Sequence, residues 1–273
     1  MIFELTKPSP PLDQYVELLT YFANYSPDHE IERLLSDGSA NIIFCLDQQD
    51  RYIFNNQSLE KDQKCTRVWL SGMHSNFLSI SAGSLNSSML VIRFHAGGSY
   101  PFIQMPIIDL NNLVVDAELV FGQEILDLYE QLCEDSDAQS KFRLVENWLM
   151  KRLQRCLLPE TVIQYAVQHI KQSPSLESLK QISDQCGYSQ KQFIHLFKKH
   201  IGLSPKAYQR IIRFNQVLQE IERHRHINWS QLVYDCGYYD QAHFIKEFKL
   251  FSGMNPSQFL AERGEYTNYI PIR

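Results

Sequence analysis

One unit written twice in the last third of the chain constrains its fold more than any other feature. The first copy runs Cys186-Gly187-Tyr188-Ser189, then Phe193, Phe197, Lys198, Gly202, Ser204, Pro205 and Tyr208. The second runs Cys236-Gly237-Tyr238, then Asp240, Phe244, Phe248, Lys249, Gly253, Asn255, Pro256 and Phe259. The copies stand 50 residues apart through the Gly-Tyr pair and 51 apart from Ser189/Asp240 onward, Tyr239 being the extra residue. Ser189 and Asp240 carry the side-chain oxygens that cap a helix N-terminus. Phenylalanines four apart share one helical face, which marks that face as core. Gly202 and Gly253 then suit the left-handed residue that ends a helix. Ser204-Pro205 and Asn255-Pro256 restart one, with the cap first and proline next. Short apolar-periodic stretches over 176–183 and 229–233 precede the two turns, and a long helix over 206–222 joins the copies.

Each copy therefore reads as helix, tight glycine turn, second helix, glycine stop and proline-started third helix, a helix-turn-helix pattern. At 100° per residue, Lys191, His195 and Lys198 lie opposite the phenylalanine face of the first second-helix, with Ile194 on the flank. Ala242, Lys246 and Lys249 take the same places in the second copy, flanked by Ile245. Neither outward face carries an acid, and Glu247 falls on the inner side. Amines that meet phosphates or guanine edges, interleaved with Ala or Ile that can touch a thymine methyl, suit a DNA major groove.

Residues 176–259 resemble the AraC-type DNA-binding domain of bacterial transcription regulators. The resemblance rests on the two Gly-Tyr turns, the Phe-rich second helices and the Gly-x-Ser/Asn-Pro-x-x-Tyr/Phe endings; Gly237 to Phe248 is close to the family's second signature. It implies two helix-turn-helix units joined by a long helix, and double-stranded DNA as partner. Lys191, Ile194 and His195 in the first unit, and Gln241, Ala242, Ile245 and Lys246 in the second, are then the base-facing residues. Ile194, Ala242 and Ile245 stand where family members often carry polar side chains. Lys198, Lys249, Arg210 and Arg213 are expected at phosphates. Leu35-Ser36-Asp37-Gly38 and Ile92-Arg93-Phe94-His95-Ala96-Gly97-Gly98 partly resemble the N-terminal region of one AraC-type subgroup, with Ser36 and Ala96 where that subgroup has prolines. In the wider family such regions sense small molecules, dimerise, or both, so a small-molecule effector and a homodimer are the further partners implied.

At 273 residues the chain has room for two domains. Its formal charge is −5, yet residues 160–273 hold 14 Lys/Arg against 10 Asp/Glu, and residues 1–159 hold 12 against 21. The cations thus gather where the duplicated unit lies. Arg223, His224, Arg225 and His226 form a basic run after the connecting helix, read as solvated or phosphate-facing. The cysteines lack Cys-x-x-Cys spacing, so neither a disulfide framework nor a zinc site is expected, and no cofactor is implied. No apolar stretch is long enough to span a membrane and no leader is apparent, which leads to the expectation of a cytoplasmic chain.

The expected fold class is α+β: a β-rich domain over 1–158 ending in a helical pair, an all-α DNA-binding domain over 159–265, and a tail over 266–273. Strands are expected at 41–46, 51–54, 68–71, 77–81 and 89–94, an early helix at 12–21, and the helical pair at 121–133 and 141–155. His74 and His95 lack partners at metal-ligand spacing. Arg93, the one cation in the apolar run 89–94, must pair with an acid such as Asp37 or grip an anionic effector. No catalytic constellation stands out, so an enzyme is not expected. Two alternatives are a DNA-repair methyltransferase-type regulator, which needs clustered cysteines, and a helical interaction protein that does not bind DNA.

Overall fold

The computed structural model describes residues 1–153, 161–172, 179–224, 227–263 and 268–272. In chain order the strands are β1 (Ile2–Thr6), β2 (Val16–Tyr25), β3 (Ile31–Leu34), β4 (Asn41–Cys45), β5 (Arg51–Phe54), β6 (Lys61–Cys65), β7 (Val68–Ser71), β8 (Leu78–Ser81), β9 (Ser87–Phe94) and β10 (Val114–Asp116). Helices α1 (Tyr100–Ile103), α2 (Glu118–Phe121), α3 (Gln123–Glu134) and α4 (Ala138–Leu153) complete this half. The second half comprises α5 (Thr161–Gln172), α6 (Leu179–Gln185), α7 (Gln190–Ile201), α8 (Pro205–Arg223), α9 (Trp229–Asp235), α10 (Gln241–Ser252), α11 (Pro256–Glu262) and a last strand, β11 (Tyr269–Ile272). No helix of the described residues is long and apolar enough to cross a membrane.

Two antiparallel sheets form the first half, in the orders β1-β2-β9-β4-β7-β10 and β11-β3-β8-β5-β6. Period-two alternation splits the six-stranded sheet into two working faces. Leu19, Tyr21, Ile42, Phe44, Leu70, Leu90 and Ile92 pack against α1, α3 and α4 through Phe102, Ile125, Leu128, Phe142 and Val145. The opposite face meets the smaller sheet, where Cys45, Trp69 and Val114 pack with Cys65, Ile53 and Leu78.

Five strands and both paired helices stand where the sequence reading expects them, within a few residues. The helix expected at 12–21 is instead a short 3-10 turn at Leu12–Gln14 followed by β2. A bulge between Val16 and Leu18 is the reason. It puts Val16 and Leu19 on the same buried face at a spacing of three, which imitates helical periodicity, before normal alternation resumes. The segment expected as a tail contains β11, paired antiparallel with β3. The expected boundary at 158/159, Arg225 and His226 fall outside the described residues.

The halves meet at several points along α7 and α8. Gly38 (φ 79°) sits under Tyr208, and a Cβ there would lie 3.1 Å from the Tyr208 ring. Asn215 donates to the Asp37 carbonyl at 3.1 Å. Tyr100 lies over the His200 ring, 4.0 Å between centroids. Gly202 both ends α7 in the left-handed region (φ 91°) and admits Ile107, whose carbonyl would stand 3.1 Å from an added Cβ. Gly187 is also left-handed (φ 74°) but has open space around it. We therefore expect Gly202→Ala to cost roughly 2–3 kcal/mol in denaturant unfolding, against about 1 kcal/mol for Gly187→Ala, which bears the backbone strain alone. Equal losses would mean that the Ile107 contact is slack.

Candidate nucleic-acid interface

The two copies fold alike down to their hydrogen bonds. In the first turn Gly187 N–H donates to Asp184 O and Tyr188 N–H to Ser183 O; in the second, Gly237 N–H donates to Tyr234 O and Tyr238 N–H to Val233 O. Ser189 and Gln192 cap α7 reciprocally, and Asp240 caps α10 by accepting from His243 N–H at 2.7 Å. Ser204 caps α8, and Asn255 with Gln258 caps α11. Gly202 and Gly253 end the second helices in the left-handed region. Phe193, Phe197, Phe244, Phe248 and Phe251 are all buried in one apolar cluster with Tyr208, Phe214 and Phe259.

With the inner faces so consumed, the outer faces are free. Lys191, His195 and Lys198 on α7 are exposed and Ile194 is half-buried. On α10, Gln241, Ala242, Lys246 and Lys249 are exposed, and Ile245 is 45% exposed, unusual for so apolar a side chain. Gln241 also donates to Ser230 on α9 at 3.3 Å, which orients its amide at the start of the helix. The residues expected to face bases thus stand on two matched, solvent-open, cationic helix faces.

Two expected phosphate partners are engaged elsewhere. Arg210 Nε lies 2.5 Å from one oxygen of Glu247, and Arg213 lies 3.0 Å from the other. Arg213 also stacks over Tyr238, 4.5 Å from the ring centroid, and donates to Gly237 O. Glu247 is buried. Burial opposes its ionisation, but the hydrogen bond from Arg210 and the charges of both arginines outweigh it and hold its carboxyl below the usual range. A buried carboxylate without its cations is costly, so this pairing ties the two partly buried arginines to Glu247. The spacing of Arg210 and Arg213, three apart on one helix, is the sequence signal that could have paired them with the inward Glu247. Leu196 occupies the equivalent place in the first copy, so the clamp belongs to the second unit alone.

Arg93 is likewise committed. Its guanidinium meets Asp37 at 2.9 Å and Glu17 at 3.2 Å. These are the acid pairs, Asp37 among them, that the sequence offered as one of its two readings of Arg93. His74 lies 3.0 Å from Ser71 Oγ, and burial pulls its pKa down to about 4. Burial also pushes the Cys65 and Cys236 thiols up to about 11, which disfavours the thiolates that nucleophilic repair would use. Cys156 lies outside the described residues.

Residues 161–262 match the model of a helix-turn-helix domain family, and residues 4–116 match that of a domain of unknown function, DUF6597. Residues 161–262 form an AraC-type helix-turn-helix domain. The chain is 26% identical over 191 residues to the probable transcriptional regulator LumQ of Photobacterium leiognathi, covering 65% of this chain and 73% of that one. An uncharacterised HTH-type transcriptional regulator of Haemophilus influenzae is 27% identical over 81 residues, 30% of this chain and 27% of its own length. Among solved structures, ToxT of Vibrio cholerae aligns with 89% of this chain and 98% of its own, at 10% identity and a TM-score of 0.49.

Within the AraC-type domain, Glu247→Gln should destabilise the fold by roughly 3 kcal/mol, because it strips two partly buried arginines of their counter-charge. Because the Glu247 pKa is depressed in the fold, its contribution is full above the unfolded carboxylate range and is lost as pH falls through the folded value. Denaturant titrations at pH 7 and pH 3 should therefore show the gap between wild type and Glu247→Gln narrowing in acid. A gap that stayed constant would mean that the carboxylate charge contributes nothing.

Proposed function

We propose that the chain is a sequence-specific DNA-binding transcription regulator whose α7 and α10 enter two adjacent major-groove segments on one face of a duplex. The observation that carries this reading is the pair of capped, acid-free, exposed helix faces on a shared scaffold. The relatives described as transcriptional regulators support it. Lys191, Ile194 and His195 read bases in the first segment; Gln241, Ala242, Ile245 and Lys246 read the second. A glutamine amide can pair bidentately with adenine, lysine suits guanine, and Ala242 and Ile245 can pack on thymine methyl groups. Lys198 and Lys249 meet phosphates. Arg210 and Arg213 pair with Glu247 and meet phosphates only through the N–H groups left over.

The first half tunes this binding and does no chemistry of its own. Its net acidity suits it poorly to direct contact with a polyanion, and its contacts with α7 and α8 give it mechanical access to the reading helices. A small molecule or a second copy acting there can alter DNA affinity only through differential affinity for the competent arrangement.

A site recovered from randomised duplexes should be asymmetric, because the two faces differ chemically, and its two protected segments should lie about one helical turn apart. Lys198→Ala or Lys249→Ala should weaken binding to all sequences and flatten the salt dependence by about one counterion. Lys246→Ala should also shift base preference at its own position, costing roughly 1–3 kcal/mol on the wild-type site. Recovery of the same preferred site for wild type and Lys246→Ala would remove that lysine from base reading. A footprint of a single short segment would contradict the two-helix arrangement.

A further inference from the structure

Strand β11 lies beyond residue 262, where the helix-turn-helix match ends, and its partner β3 lies within the separately matched region 4–116. We propose that β11 is an interdomain clasp: it fastens the second helix-turn-helix unit to the smaller sheet, so that both reading helices meet DNA as one preset body. The clasp is built on both of its faces. Four residue pairs are in register, Tyr269 with Leu34, Ile270 with Arg33, Pro271 with Glu32 and Ile272 with Ile31, and Leu35 N–H adds a bond to Asn268 O at 2.9 Å. Ile270 is fully buried in the same apolar cluster as Phe248, Phe251 and Phe259 of α10 and α11. Its register partner Arg33 stacks on Phe77 at 5.1 Å and feels the charge of Glu262, the last residue of α11. Phe77 and Arg33 in turn press on Gly253, the end of α10: a Cβ there would lie 2.8 Å from the ring and 3.2 Å from the guanidinium carbon. Tyr269 and Pro271 alternate to the other face of the sheet, beside Leu34 and Glu32.

A strand edge left open offers a row of unpaired backbone groups, and β3 has this edge filled by the DNA-binding half of its own chain. The clasp leaves Gln241, Ala242, Ile245 and Lys246 exposed. It therefore restrains where the second reading helix stands without covering it. Two reading elements held at a fixed separation bind with the ordering of the second already done, and loosening one lowers its effective concentration at its segment.

Three forms test the clasp: the full-length wild type, a variant lacking residues 264–273, and full-length Ile270→Asp. A fourth, the pair Ile31→Cys with Ile272→Cys, can be cross-linked by oxidation across the register. Calorimetric unfolding, amide exchange of 31–35 and titration of a two-segment duplex give independent readouts. The DNA arm rests on the function proposed above; the unfolding and exchange arms do not, so a wild type that retains no DNA would defeat that function and leave the clasp decidable. We expect the deletion and Ile270→Asp each to split one transition into two, to speed exchange in β3, and to lower affinity for the two-segment duplex about tenfold. The oxidised cysteine pair should keep the single transition and wild-type affinity. Unchanged unfolding and exchange in both loosened forms would overturn the clasp. Affinity that stayed level or rose in them would overturn its presetting role.

Discussion

Helix α8 is the member on which the other packing depends, because a single helix must bury three different surfaces at once. Tyr208 packs on Phe197 of the first unit, Phe214 on Phe248 and Phe251 of the second, and Tyr208 and Ile211 approach the Asp37–Gly38 turn of the first half. Tyr208, Ile211, Phe214, Val217 and Ile221 are fully buried. A helix so enclosed cannot rotate to suit one neighbour without opening a void against another, and interiors tolerate voids poorly. The positions of α7 and α10 therefore depend first on this one rigid element, and β11 adds a second attachment of α10 and α11 to the smaller sheet.

The charges divide in the same spirit. The second unit places one carboxylate in its interior and uses two arginines of α8 to neutralise it. What remains on the outside of α7 and α10 is lysine, histidine and neutral side chains. Lysine presents a mobile point charge, suited to phosphates whose position varies, whereas a guanidinium fork demands fixed geometry. The arginines here serve the fixed interior geometry, and the lysines are left for the partner. In the first half Arg93 follows the same pattern, bracing Asp37 and Glu17 at the turn on which α8 sits.

The helical half was almost wholly legible from residue order, since its signals are local. A cap oxygen and the N–H groups it satisfies lie within three residues, and a glycine stop acts where it stands; duplication then checks each inference against its copy. The sheets were less legible. Strands β4, β5 and β7 announce themselves by apolar, β-branched runs, but β3 (Ile-Glu-Arg-Leu) and β6 (Lys-Asp-Gln-Lys-Cys) do not. They are strands because of what they pair with, and pairing partners lie tens of residues away. In β2 a bulge made a strand look helical. For the candidate site, the exposed face was readable from angular position alone and Asp37 was named as an acid for Arg93, while the pairing of Arg210 and Arg213 with Glu247 went unread, because it joins residues 34 and 37 positions apart.

The sequence by itself determined the two capped helix-turn-helix units, the spacing between them, which face of each second helix turns inward, and the separation of an acidic from a basic half. These follow from backbone stereochemistry and 3.6-residue periodicity, which act over a few residues. Only the tertiary structure decided which cations remain free for a polyanion, where the two units sit against the sheets, and that the last residues return as a strand beside β3. Those outcomes depend on groups more than 30 residues apart in the chain, such as Arg213 with Glu247 and Ile270 with Arg33, being brought within contact by a shared core. No local rule encodes that proximity, because it arises only when every buried face has found its partner.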